Sequence, residues 1–263
     1  MVEQSDEIPL EGGGRTAVVR RGGIVVRETG PWTPTVHALL RHLQEMDFEG
    51  APRVVGDGFD EHGRELLTYV DGEVINPSPW SDEAMDALGR LMRRLHAATA
   101  SFRPPADAMW RPWFGRDVGV PDIIGHCDAA PWNVVSRNGK PVALIDWEVA
   151  GPVDRLTEIA MAVWNNAQLY DDDVAKMNGL PETRQRARQV RIFADAYGLP
   201  VHERRHLVCR VIEFASQSAA NEVIEQQITP ESQHVPRVWG IAWQTRSVAW
   251  LLRNRHVLEA ALA

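Results

Sequence analysis

The chain has 263 residues, 28 Lys+Arg against 36 Asp+Glu for a formal net charge of −8, and 44 % hydrophobic residues, an ordinary globular composition for one large domain or two modest ones. No apolar run approaches the ~20 residues that cross a bilayer, the acidic first residues lack the basic and apolar regions of a signal peptide, and two cysteines, Cys127 and Cys209, cannot build a disulfide framework. The expected setting is a reducing cytoplasm, with neither membrane nor nucleic acid as partner and an acidic balance that tolerates a cationic ligand.

In chain order, Gly12-Gly13-Gly14 precedes two β-branched runs, Thr16–Val19 and Ile24–Val26, joined by Arg20-Arg21-Gly22-Gly23 as a hairpin. Thr33-Pro34 is a helix start, and Val36, Leu39, Leu40 and Leu43 follow at helical spacing. Arg53–Val55 and Glu65–Val70 read as strands, divided by a turn-rich stretch from Gly56 to Gly63. After Asp71-Gly72, Ser81 caps a helix with Ala84, Leu88, Leu91, Met92 and Leu95 on one face. Residues 102–122 show no period. From Arg155 helices are expected at about 155–168, 182–197, 202–227 and 236–261. The boundary falls near residue 70: a small α+β lobe, 1–70, and a larger helical lobe, 71–263, with a ligand cleft between them.

The chemistry concentrates between Ile124 and Glu148. Asn138-Gly139 between two apolar runs predicts a hairpin with a type I′ turn. An unbroken register sets 137 opposite 140, 134 opposite 143 and 133 opposite 144, so Asn133 and Asp146 become diagonal neighbours on one face, roughly 7–8 Å apart. An amide oxygen and a carboxylate placed so can share one hard cation. Asp128 reaches the same mouth from the preceding loop. Two oxygen ligands for Mg²⁺ on nucleotide phosphates, with a separate carboxylate to orient an accepting hydroxyl, is the layout that phosphoryl transfer needs. Singly, each residue also has a bland reading as a turn cap or loop hydrogen-bonding group. A transition-metal site at His126-x-Asp128 lacks further His or Cys ligands at the right spacing.

His126-Cys127-Asp128 with Asn133, followed by Ile145-Asp146-Trp147-Glu148 and Ala150–Leu156, resembles the aminoglycoside phosphotransferase family, small-molecule kinases with a protein-kinase-like fold. The resemblance implies an α+β architecture: an N-terminal lobe with an antiparallel sheet and one helix, and a larger, mainly helical C-terminal lobe. It implies an ATP- and Mg²⁺-dependent transfer to a hydroxyl of a small molecule such as an amino sugar or related antibiotic. By the same resemblance Asp128 is the catalytic base, Asn133 and Asp146 are metal ligands, and His126 supports the loop. Asp154 ties the following helix to the metal-binding loop, although as an Asp at a helix start it also reads as a cap.

The first half departs from that pattern. Gly12, Gly13 and Gly14 stand where a loop would cover ATP phosphates, or form a flexible linker. The strand lysine expected to meet the phosphates is absent, because no lysine precedes Lys140; Arg27 ends the matching strand. The helix that should carry its carboxylate partner has Val36 and His37 there, and Glu45 only at its end. Tyr69 and Val70 either meet the adenine edge or end a plain strand. An impaired kinase-fold protein that binds a small molecule, or confers immunity by sequestering it, is the alternative reading. Asp171-Asp172-Asp173 either faces a cationic acceptor or is a solvated turn. Trp239, Trp243 and Trp250 share one helical face and read as core; the exposure of Glu213 stays open.

Overall fold

A computed structural model describes residues 7–10, 18–232 and 238–263; the glycine run at 12–14 lies outside them. Five antiparallel strands, β1 (Ile8–Pro9), β2 (Val18–Arg21), β3 (Ile24–Arg27), β4 (Val54–Phe59) and β5 (Glu65–Thr68), pair in the order β1-β2-β3-β5-β4. Gly22 turns the β2–β3 hairpin with φ 61°, a conformation that costs glycine nothing. Strand β4 runs through half of the stretch expected as turn. Gly56 and Gly58 take positive φ there and the β4–β5 register shifts, so the strand bends instead of ending.

Helix α1 (Thr33–Glu45) begins at the Thr-Pro signal, with Trp32 as the flanking residue. Val36, Leu39, Leu40 and Leu43 are all buried, each contributing about 1.5–3 kcal/mol of apolar transfer. Helix α2 (Asp82–Thr99) starts as expected: the Ser81 hydroxyl accepts the Ala84 amide at 3.2 Å, and Asp82 and Glu83 complement the dipole in the first turn.

The second part of the chain holds two more antiparallel pairs, β6 (Ile123–Gly125) with β9 (Gly151–Val153) and β7 (Val134–Arg137) with β8 (Lys140–Leu144). Six helices follow: α3 (Arg155–Asn166), α4 (Asp172–Met177), α5 (Thr183–Tyr197), α6 (Val201–Glu225), α7 (Val238–Arg253) and α8 (Arg255–Leu262). The last expected helix is broken at Asn254, whose backbone and side-chain N–H groups both donate to the Trp250 carbonyl. Residues 102–122 contain one short 3₁₀ turn, Phe114–Asp117, and the end of β8 is tied to the segment after α1, where the Gly50 carbonyl accepts the Leu144 amide at 2.9 Å. One continuous buried cluster runs from Val36 of α1 through α2 and α3 to Leu262, so the sheet-bearing part and the helical part share a core around α1 and α2. No described helix is long and apolar enough to cross a membrane.

Candidate active site

Asn138 and Gly139 turn the β7–β8 hairpin with φ 52° and 71°, the two positive values a type I′ turn requires. The register corrects the simple expectation. Arg137 opposes Lys140 and Ser136 opposes Pro141, but then the pairing shifts, with Val135 opposite Ala143 and Val134 opposite Leu144. Val142 is the extra residue of a bulge, so Asn133 meets Ile145 instead of Leu144: the Ile145 amide donates to the Asn133 carbonyl at 2.9 Å. In a continuing strand that slip would send Asp146 to the opposite face. The strand does not continue. Asp146 takes φ 62°, and its left-handed backbone re-aims the carboxylate, a conformation Asp tolerates better than most residues.

The Ile145 peptide is clamped at both ends. Its carbonyl accepts from His126 Nε2 at 2.9 Å, and the Asp128 amide donates to His126 Nδ1 at 3.2 Å. Those roles fix the Nε2–H tautomer of a neutral imidazole, and complete burial lowers the pKa of His126 in the same sense. The ring also packs edge-on to the Trp147 indole, centroids 4.6 Å apart. One buried side chain thus ties the backbone of Asp128 to the residue before Asp146. Asn133 closes the set: its amide nitrogen donates to Asp128 Oδ2 at 2.8 Å and to the Asp128 carbonyl at 3.0 Å. Asp128, Asn133 and Asp146 are therefore gathered by one hairpin and one imidazole.

Sequence reasoning missed the residue that anchors this loop. Glu158, fully buried on α3, accepts the amides of His126 (2.6 Å) and Cys127 (3.0 Å) on Oε1 and His96 Nε2 of α2 (2.8 Å) on Oε2. Burial alone would raise its pKa, but His96 and the Cys127 amide outweigh it and hold the carboxyl below its ordinary value. Cys127 can stay at φ 65° because Glu158 holds its amide; burial pushes the thiol pKa upward and its sulfur faces Arg116 and the Gly151 carbonyl. Gly125 makes room for this: a Cβ there would lie 1.9 Å from Glu158 Oε2. The available signal was a Glu one helical turn after an N-cap Asp in an otherwise apolar helix.

The sheet side of the cleft is made of ion pairs. Arg27 is bound through Nε to Glu65 Oε2 and through Nη1 to Asp146 Oδ1 at 2.6 Å. Its carboxylate partner thus comes from the neighbouring strand, directly across the ladder, and α1 supplies His37, whose Nε2 donates to Glu65 Oε1 at 2.9 Å. Burial opposes both charges, but the His37 hydrogen bond and then Arg27 hold Glu65 below its ordinary pKa, and Glu65 with Asp146 holds Arg27 well above its own. Glu45 takes no part in this group.

The remaining expected site residues are placed as follows. The Tyr69 amide donates to the Gly23 carbonyl at 2.8 Å, and the Arg20 guanidinium lies 3.8 Å from the Tyr69 ring centroid. Asp154 caps α3, accepting the Thr157 amide at 2.8 Å, and pairs with Arg210 at 2.5 Å. Every member of the acidic run has a partner on α7. Asp171 caps α4 and binds Arg246 at 2.6 Å, Asp173 binds the same arginine, and Asp172 accepts the Trp250 indole N–H at 2.9 Å. Glu213 is half exposed and pairs with Arg210 at 3.1 Å. Of the three tryptophans on one face, Trp250 is fully buried, Trp243 stacks on Trp164 at 5.5 Å, and Trp239 is exposed, so that face is core only over its second half.

Asn133 spends its N–H donors on Asp128, which leaves its oxygen to accept; with the half-exposed Asp146 carboxylate this is a pair of hard oxygen donors. No group of three or more His, Cys, Asp or Glu side chains forms a metal cage among the described residues. That donor set suits Mg²⁺, which takes one or two protein oxygens and completes its shell with phosphates and water.

The model of the Phosphotransferase enzyme family matches residues 9–121 and 116–208. The chain belongs to this family. A trifolitoxin immunity protein of Rhizobium leguminosarum bv. trifolii is 55 % identical over 260 residues, covering 98 % of this chain and 100 % of its own. Among solved structures, an amicoumacin kinase in complex with AMP-PNP and Ca²⁺ aligns with a TM-score of 0.66 at 12 % identity over 99 % of this chain and 89 % of its own. A choline/ethanolamine kinase family protein from Mesorhizobium loti aligns with a TM-score of 0.62 at 16 % identity, over 98 % and 92 %. The likeness shows the kinase-like fold: a small N-terminal lobe with an antiparallel sheet, and a larger helical C-terminal part.

Proposed function

We propose that this chain is an ATP-dependent phosphotransferase that modifies a hydroxyl of a small toxic molecule and so protects the cell that makes it. The observation that carries the reading is the junction of Asp128 Oδ2 with the Asn133 amide at 2.8 Å, beside an Asp146 delivered by the clamped Ile145 peptide. Family membership supports phosphoryl transfer, and the relative named as an immunity protein supports self-protection as its use.

In this reading Asp128 takes the proton of the acceptor hydroxyl as its oxygen bonds to the γ-phosphorus and the bond to the β–γ bridging oxygen breaks. Asn133 and Asp146 would hold Mg²⁺, which would supply charge neutralisation on the phosphates. Arg27 steadies the phosphates from the sheet side, and the Tyr69–Val70 backbone meets the base. Buried supports on His126, Cys127 and Asp128 keep these groups in position before substrate arrives, and that positioning with electrostatics accounts for most of the acceleration. A screen of hydroxylated amines and peptides for ATP consumption, with product mass rising by one phosphoryl group, tests the proposal. Phosphorylated product from wild type and none from Asp128→Asn supports it; ADP release without phosphorylated acceptor counts for hydrolysis instead.

One observation favours a second reading, protection by sequestration: Arg27 already occupies Asp146 Oδ1, one of the oxygens offered to the metal. Thermal-shift titration separates the two, since a ligand that binds only the folded chain raises its melting temperature. Stabilisation by the toxin with none by millimolar Mg²⁺·ATP would select sequestration.

A further inference from the structure

Arg27, Glu65 and His37 form a buried relay from helix α1 to the cleft. Glu65 and His37 are each 2 % exposed and Arg27 11 %. Both Glu65 oxygens are committed, one to the helix through His37 Nε2 and one to the strand through Arg27 Nε. The imidazole is itself confined. Its centroid lies 5.0 Å from that of Phe59, and a Cβ on Gly58 would come within 2.5 Å of the ring, so the backbone of β4 closes on it where only a glycine fits.

We propose that Glu65, steadied by His37, is the positioning residue that holds Arg27 as the cation for nucleotide phosphates, in place of a helix-borne carboxylate. The proposal deepens the kinase reading and rests on it. A guanidinium is planar, so fixing Nε on a buried carboxylate fixes the direction of its outer nitrogens. One of those nitrogens, Nη1, reaches the half-exposed Asp146 carboxylate at 2.6 Å. Arginine can exchange that outer contact for a phosphate oxygen without releasing Glu65, because the inner and outer bonds use different nitrogens. A lysine has one nitrogen for both tasks. The arginine and the strand carboxylate are therefore one device: the strand gives the anchor, and His37 makes its position depend on α1.

The test uses the full chain with Mg²⁺·ATP, and with ATP in EDTA to isolate the arginine contact from the metal. Nucleotide dissociation constants, KM for ATP, kcat and melting temperature are compared for wild type, Glu65→Gln, His37→Ala, His37→Gln and the double variant His37→Glu/Glu65→Gln, which moves the carboxylate to the helix. The expected result is a tenfold or greater rise in KM and dissociation constant for Glu65→Gln in both arms, with a smaller change in kcat. A few-fold rise is expected for His37→Ala and near wild-type values for His37→Gln, whose amide can still donate to Glu65. Recovery toward wild type is expected in the double variant. Glu65→Gln that lowers the melting temperature and leaves nucleotide affinity unchanged would make Glu65 a structural residue and overturn the proposal. If Glu65→Gln does not fold, the His37 pair decides: equal nucleotide affinity for His37→Ala and His37→Gln overturns it, and a loss confined to His37→Ala supports it. Wild type that binds no nucleotide overturns the kinase reading and the proposal together, whereas wild type that binds alongside an equally competent Glu65→Gln overturns the proposal alone.

Discussion

The two walls of the cleft are held by different physics. On the loop wall, buried side chains bind backbone: Glu158 takes two consecutive amides, and His126 bridges one amide to one carbonyl. On the sheet wall, side chains bind side chains, in a chain from His37 to Glu65 to Arg27 to Asp146. A backbone-anchored loop holds its shape whichever ligand is present, whereas a chain of ion pairs has an outer end that can change partner. The loop wall therefore behaves as a scaffold and the sheet wall as the part that answers to charge.

If that contrast is right, the largest loss of stability comes from the scaffold. Glu158→Ala strands two buried amides and His96, and is expected to cost about 3–5 kcal/mol, read as a fall in denaturation midpoint. At the solvent-facing end of the ion-pair chain, Asp146→Asn should fall well short of that, because the Asp146 carboxylate is half exposed. A Glu158→Ala chain as stable as wild type would remove the distinction. Asp128→Asn sits on the scaffold but acts on the reaction: turnover is expected to fall roughly 10²–10⁴-fold with nucleotide affinity and melting temperature close to wild type, measured by steady-state kinetics and thermal shift.

The pH dependence of stability sharpens the comparison further. His126, Glu158 and Glu65 all have folded pKa values below their ordinary ones. Groups lowered on folding stabilise above their unfolded pKa, and that stability is lost as pH falls toward the folded value. The melting temperature should therefore begin to decline near pH 6.5, where an unfolded histidine takes its proton, and fall more steeply below about pH 4.5, the ordinary value for the glutamates. His126→Asn should lose the upper part of this decline and keep the lower. A melting temperature that rises between pH 7 and 5 would contradict the neutral, buried imidazole.

Smaller effects are expected away from the walls. Asp154→Ala removes the α3 cap and should cost about 1 kcal/mol, seen as a modest shift in denaturation midpoint. Arg246→Ala should lower the melting temperature only slightly, because the arginine end of its pairs is half exposed although Asp171 is buried, and should leave acceptor KM unchanged. An altered acceptor KM would return Asp171–Asp173 to the substrate site.

The loop wall was largely legible because its signals are local. An Asn-Gly turn, a His two residues before an Asp and an Asn five residues after it fix the loop within one short stretch of chain. Even there, the bulge at Val142 was hidden, and Asp146 reaches the site through a left-handed backbone instead of strand alternation. The sheet wall was illegible in its decisive part. The family resemblance points to a carboxylate on α1, where only Glu45 stands, whereas the carboxylate that meets Arg27 is Glu65 at the start of a strand. Nothing near Glu65 in sequence shows that it faces Arg27, because cross-strand partners 38 residues apart meet only when the sheet forms. The acidic run shows the reverse: three aspartates adjacent in sequence find their partners only on α7, Arg246 for Asp171 and Asp173 and Trp250 for Asp172.

By itself the sequence determined the family, the two-part architecture and the local loop, since turn chemistry, caps and apolar periodicity act between neighbours along the chain. Tertiary structure alone decided which buried charges meet, because a carboxylate taken out of water needs a partner, and the partner is whatever the packing brings within reach of its oxygens.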